Sequence, residues 1–122
     1  MNDIKQAFLN SKKTLEPIEV PELGTKVYIG KWSARQRSVI LPDIIAIGDE
    51  SNKDKYSEMV EGMAKVVQGT LKDIEGNRVF EDTAEDLAIL LDFDGEVIEK
   101  LFNKILDYNG IGENAIPEAA KN

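Results

Sequence analysis

The sequence predicts a single domain of mainly helical α+β fold with one or two small antiparallel β-hairpins, and three observations carry that prediction. Between Gly95 and Gly110, apolar Val97, Ile98, Leu101, Phe102, Ile105 and Leu106 recur at the spacing of one helix face, opposite Glu96, Glu99, Lys100, Asn103, Lys104 and Asp107. Around the turn sequence Pro21–Gly24, the flanks IleGluVal and LysValTyrIle carry residues that suit a pleated, half-buried surface. The length, 122 residues, fits one domain with a sizeable core.

Residues 3–13 make a short amphipathic helix in which Ile4, Phe8 and Leu9 are apolar and Lys5, Gln6, Lys12 and Lys13 are polar. Pro17 ends helical possibilities, and residues 17–32 read as a hairpin whose turn uses the fixed backbone angle of Pro21 and the freedom of Gly24. Trp32, the only tryptophan, is expected to pack on the core. Ser33 and Gln36 have the spacing of a capping box, so a helix starts there, and Pro42 is expected to stop or kink it. Residues 44–47, all apolar, fit a second helical piece or a buried strand equally well.

Residues 48–55 contain no apolar side chain and are expected to form a mobile surface loop. Helical periodicity resumes from Tyr56 through Met59, Val60, Met63, Val66 and Val67, with Gly62 as a weak point. GluGlyAsn at 75–77 suggests a second small hairpin or an extended turn. Thr83 and Asp86 form a capping-box variant that opens a helix through Leu91; Asp92–Gly95 then turn the chain into the longer helix, capped by Asp94 and ended by Gly110. The domain is expected to span 1–112, with a flexible tail at 113–122.

The chain has no cysteine and no histidine, which removes disulfides, thiolate nucleophiles, the usual zinc ligands and the ordinary near-neutral acid–base residue together. Asp92, Asp94 and Gly95 begin like a calcium loop, but the glycine comes too early and an apolar helix follows. No GxGxxG, P-loop or nucleophile-elbow spacing occurs. The residues therefore indicate no enzyme, no cofactor and no metal. No apolar run is long enough to span a membrane and the N-terminus lacks a signal-peptide core, which points to a cytoplasm.

Charge is unevenly spread. Residues 1–37 carry seven Lys or Arg against four Asp or Glu, a net of +3; residues 38–122 carry eight against nineteen, a net of −11. An acidic surface disfavours direct nucleic-acid binding.

The order of these elements resembles the tail assembly chaperones of lambda-like long-tailed phages and prophages. The resemblance rests on MetAsnAspIleLysGlnAlaPheLeu at 1–9, IleGluValProGluLeuGlyThrLysValTyrIle at 18–29, SerAlaArgGlnArg at 33–37, AspIleGluGlyAsnArgValPhe at 73–80 and GluLysLeuPheAsnLysIleLeuAspTyrAsnGlyIleGly at 99–112. It implies a non-enzymatic, self-associating protein of the host bacterial cytoplasm. Such a protein binds the tape measure protein, helps tail-tube subunits polymerise around it, and leaves before the virion matures.

The resemblance also implies a longer form made by a −1 ribosomal frameshift, through which the tail-tube protein would be contacted. AlaLysAsn at 120–122 permits the slippery heptamer A AAA AAC in the required register. Candidate contact residues are Met59, Met63, Val97, Ile98, Leu101, Phe102, Ile105 and Leu106, which serve equally well as core. Two other readings stand beside this one: an acidic nucleic-acid mimic that inhibits a DNA-binding protein, and a head–tail connector subunit.

Overall fold

In the computed structural model, which describes residues 3–11, 14–47 and 56–111, strands β1 (Leu15–Val20) and β2 (Thr25–Gly30) pair antiparallel from Leu15 opposite Gly30 to Val20 opposite Thr25. A single 3₁₀ turn over Pro21–Leu23 joins them and closes on Gly24, whose φ of 69° permits the Gly24 N–H to reach the Pro21 carbonyl at 3.0 Å. Pro17 is accommodated because β1 is an edge strand. Ile18, Val20 and Ile29 are buried and Val27 is half-buried, which gives the hairpin one apolar face.

Before the hairpin, α1 (Asp3–Asn10) is exposed at every residue. After it, α2 (Ala34–Ile47) opens with the full capping box. The Ser33 N–H donates to Gln36 Oε1 at 2.9 Å, and the Gln36 N–H donates to Ser33 Oγ at 3.1 Å. The helix does not end at Pro42 but continues to Ile47, so residues 44–47 are helix and not strand. Pro42 and Ser38, four residues before it, are both exposed; water can satisfy the Ser38 carbonyl that loses its helical donor, while Ile44 beyond the proline is fully buried. Burial of Ile44 holds the helix together across the lost hydrogen bond.

Helix α3 (Tyr56–Thr70) packs against α2, α4 (Ala84–Leu91) and α5 (Gly95–Tyr108). It runs directly into β3 (Leu71–Lys72), which pairs antiparallel with Tyr28 and Ile29 to complete a three-stranded sheet in the order β1-β2-β3. Where a second small hairpin or an extended turn is expected, the chain forms a turn closed by one bridge, Lys72 with Arg78. The turn it flanks is set by Asp73, whose Oδ1 accepts the N–H groups of Glu75 and Asn77, both at 2.9 Å, with Gly76 at φ 88°.

Helix α4 is capped by Thr83, whose Oγ1 accepts the Asp86 N–H at 3.2 Å. The shorter Asp86 does not return the bond to Thr83 as a glutamate would; its Oδ2 takes the N–H of Glu81 at 2.6 Å instead. Asp94 Oδ1 caps α5 by accepting from Glu96 N–H at 2.9 Å and Val97 N–H at 3.4 Å. At the other end, Gly110 adopts φ 78°, Ile111 N–H reaches the Leu106 carbonyl at 2.8 Å and Gly110 N–H reaches that of Asp107 at 3.1 Å. That pair of bonds is a Schellman motif, and buried Ile111 supplies its apolar contact.

The core joins the sheet's apolar face to Ala64, Val66 and Val67 of α3, Leu90 of α4 and the apolar face of α5. Three polar residues are buried with it, each hydrogen-bonded: Gln68 donates to the Glu81 and Thr83 carbonyls, Thr70 accepts from Trp32 Nε1 at 3.0 Å, and Asn109 bonds Trp32 and Gly30. The loop at 48–55 and the tail at 113–122 lie outside the described residues.

Candidate functional site

The feature that stands apart from this core is an apolar groove of about 660 Å³ where the chain leaves the sheet. β3 covers β2 only at Tyr28 and Ile29, because the Asp73 turn takes the chain away after Lys72. Thr25, Lys26 and Val27 of β2 consequently border open space beside Ile74, Val79 and Phe80. The far wall is the corner between α4 and α5, with Ile89, Leu90 and Phe93, and Val97, Ile98 and Leu101 form the floor.

Its rim exposes large apolar side chains: Ile74 is 71% exposed, Ile89 56%, Val79 49% and Leu23 46%. Exposed apolar residues scattered singly need no explanation, but four around one depression form a candidate interaction surface. Charge is confined to the strand side, where Lys26, Lys72 and Asp73 border the groove; the helical side of its lining is wholly apolar.

The eight candidate contact residues divide between core and groove. Val97, Ile98 and Leu101 line the groove floor while themselves being 3–5% exposed. Phe102, Ile105 and Leu106 are equally buried but do not reach it. Met63 is half-buried against the core and Met59 is half-buried nearer the start of α3; neither lines the groove. The α5 face is therefore core along its whole length and groove floor at its N-terminal end.

The rim residues were not visible as a site in the sequence. Leu23 lies in a turn, and Ile74 and Val79 flank a polar one, where isolated apolar residues carry little meaning. One signal was present in α4, AlaGluAspLeuAlaIleLeuLeu, whose apolar residues Leu87, Ala88, Ile89, Leu90 and Leu91 go too far round a short helix to be buried on one side.

Among the described residues, no group of three or more acidic side chains is placed to hold a metal ion, and Asp94 is engaged as a helix cap. No helix among them is long and apolar enough to cross a membrane.

No protein-family model matches the chain, and no curated protein sequence matches it. A solved structure does: that of the bacteriophage HK97 tail assembly chaperone, with a TM-score of 0.59 over 87% of this chain and 97% of that one, at 17% sequence identity. In fold, this chain is similar to a phage tail assembly chaperone. The likeness spans nearly the whole of both proteins.

Proposed function

We propose that this chain is a non-enzymatic phage tail assembly chaperone that binds the tape measure protein, keeps its apolar helices soluble, and promotes polymerisation of the tail tube around it. The observation that carries the reading is the fold likeness to the HK97 tail assembly chaperone over nearly the full length of both chains. The groove agrees with it. An amphipathic client helix laid between the β2 edge and the α4–α5 corner would cover Ile74, Val79 and Ile89 on the rim and rest on Val97, Ile98 and Leu101. Met59 and Met63 would serve as a second, adaptable contact.

The chain works in the host bacterial cytoplasm, self-associates, and is absent from the finished virion. A longer form produced by a −1 frameshift would contact the tail-tube protein. The test is co-expression of the phage's large helical tail protein with and without this chain. The reading expects the client in the soluble fraction, and bound to the chain, only when both are present. Equal solubility of the client alone overturns it, and detection of the chain in purified virions favours a connector subunit.

A further inference from the structure

The groove opens on a strand edge whose backbone the fold leaves uncovered. Leu71 and Asp73 turn their backbone groups away from β2: the Leu71 carbonyl accepts the Val79 N–H at 3.4 Å, and the Asp73 N–H donates to the Asn77 carbonyl at 2.9 Å. Lys72, between them, therefore faces β2, where it stands opposite Tyr28. Alternation along β2 then turns the N–H and C=O of Lys26 to the same side as those of Tyr28, past the end of β3. Pro17 agrees with this register: it stands opposite Tyr28 on the β1 side, at a position where the two strands exchange no N–H.

The two open edges of the sheet differ. On β1 the outward backbone groups belong to Leu15, Pro17 and Glu19, and the middle residue has no N–H, which blunts that edge against a further strand. On β2 the outward residue past β3 is Lys26, which keeps both groups and borders the groove. A helix laid in the groove bonds its own backbone and makes no use of them, whereas an extended segment does.

Side-chain alternation fixes the chemistry of such a segment. Thr25 and Val27 stand opposite buried Val20 and Ile18, so they share the core face and Lys26 points to the other. A residue paired with Lys26 places its own side chain beside the Lys26 ammonium, and its two neighbours point at Phe93, Val97, Ile98 and Leu101.

We propose that the groove binds an extended client segment of the pattern apolar–acidic–apolar, which pairs antiparallel with β2 at Lys26 and continues the sheet past β3. The central carboxylate meets Lys26, and the two apolar side chains fill the space that β3 leaves open. This rests on the groove being the client surface of the reading above, and adds to it a second form of client, a stretch not yet folded into helix.

The experiment is calorimetric titration of the full chain with a capped synthetic heptapeptide, SerThrValGluValThrSer, and with copies of it N-methylated at single positions. Methylation of the glutamate removes the N–H that donates to the Lys26 carbonyl and is expected to weaken binding by about tenfold, whereas methylation of the second valine, whose N–H points away from β2, leaves binding unchanged. A peptide with lysine in place of the glutamate is expected to bind wild type more weakly than the parent. Lys26→Pro, at an exposed position and verified as folded by circular dichroism, removes the free N–H and the ammonium and is expected to bind the parent peptide at least about tenfold more weakly.

Equal binding of the two methylated peptides overturns the proposal, as does equal binding of the lysine peptide, equal binding by folded Lys26→Pro, or no binding of the parent peptide by wild type. The peptide series on wild type decides the matter without the variant. The chaperone reading is tested apart from it, by co-expression: a client solubilised by wild type that binds none of the peptides leaves that reading standing and removes only the strand.

Discussion

The side-chain oxygen of Asn109 accepts the backbone N–H of Trp32 at 2.7 Å, joining the end of the hairpin to the end of α5 across 77 residues of sequence. The Asn109 amide donates to the Gly30 carbonyl at 3.3 Å and the Ile105 carbonyl at 3.0 Å, and Arg37 Nη1 donates to the Asn109 carbonyl at 2.9 Å. Lys31 lies over the adjacent Tyr108 ring, 4.0 Å from its centre, and bonds the Tyr108 carbonyl. Asn109 thus closes the sheet onto the helix with nearly all its polar capacity. Asn109→Ala removes the partner of the part-buried Trp32 N–H and a donor to the buried Gly30 carbonyl, and is expected to lower stability by about 1–3 kcal/mol, measured by urea unfolding. An unchanged midpoint would show that water replaces the side chain there.

Burial along α5 gives a second expectation. Phe102 is 5% exposed and Leu101 3%, both inside the core. Phe102→Ala is expected to cost about 3–5 kcal/mol, and Leu101→Asp to prevent folding of the isolated chain, because the charge would be buried almost wholly without a partner. Circular dichroism of the purified variants checks both. A folded Leu101→Asp would mean that the α5 face opens far more than its burial indicates.

Two glycines at the ends of α5 should respond with opposite sign. Gly110 has φ 78°, so although nothing lies within 4 Å of an added Cβ, Gly110→Ala meets the left-handed penalty and is expected to cost about 1–2 kcal/mol. Gly95, the first residue of the helix, also has open space and no such angle, so Gly95→Ala is expected to stabilise by about 0.4–1 kcal/mol. Thermal unfolding of the two variants side by side distinguishes these outcomes from a uniform response.

What was legible in the sequence was mainly local. The Ser33–Gln36 box, the Thr83 and Asp94 caps, the Gly24 turn and the Gly110 stop each depend on residues within a few positions, and each is formed. The continuation of α2 through Pro42 was not legible, because it is decided by tertiary burial of Ile44 against a local preference for ending. β3 falls in the first arm of the expected second hairpin or extended turn, but its pairing with β2 was not legible, because Leu71 and Lys72 meet Ile29 and Tyr28 only in the folded chain. The groove needs Leu23, Ile74, Val79 and Ile89 from three separate segments, and no spacing in the chain announces that meeting. Whether the α5 face was core or groove had a compound answer, since the same side chains fill the one and floor the other.

The proposed longer form makes a prediction at the level of the gene. Its codons for residues 120–122 are expected to read GCA AAA AAC, with an overlapping −1 reading frame downstream. Sequencing the locus decides it: AAG at Lys121 with no overlapping frame removes the frameshifted product from the proposal and leaves the short form.

The most direct test of the groove as the client-binding surface is co-purification of the tape measure protein with three forms of this chain: wild type, the rim double variant Val79→Asp/Ile89→Asp, and Val39→Asp. Val39 is 67% exposed but lies on α2, outside the groove, so it controls for the loss of any exposed apolar residue. Wild type and Val39→Asp are expected to recover the client equally, while the rim variant, folded by circular dichroism, recovers at least tenfold less. Equal recovery by all three forms, or no recovery with wild type, would contradict the account.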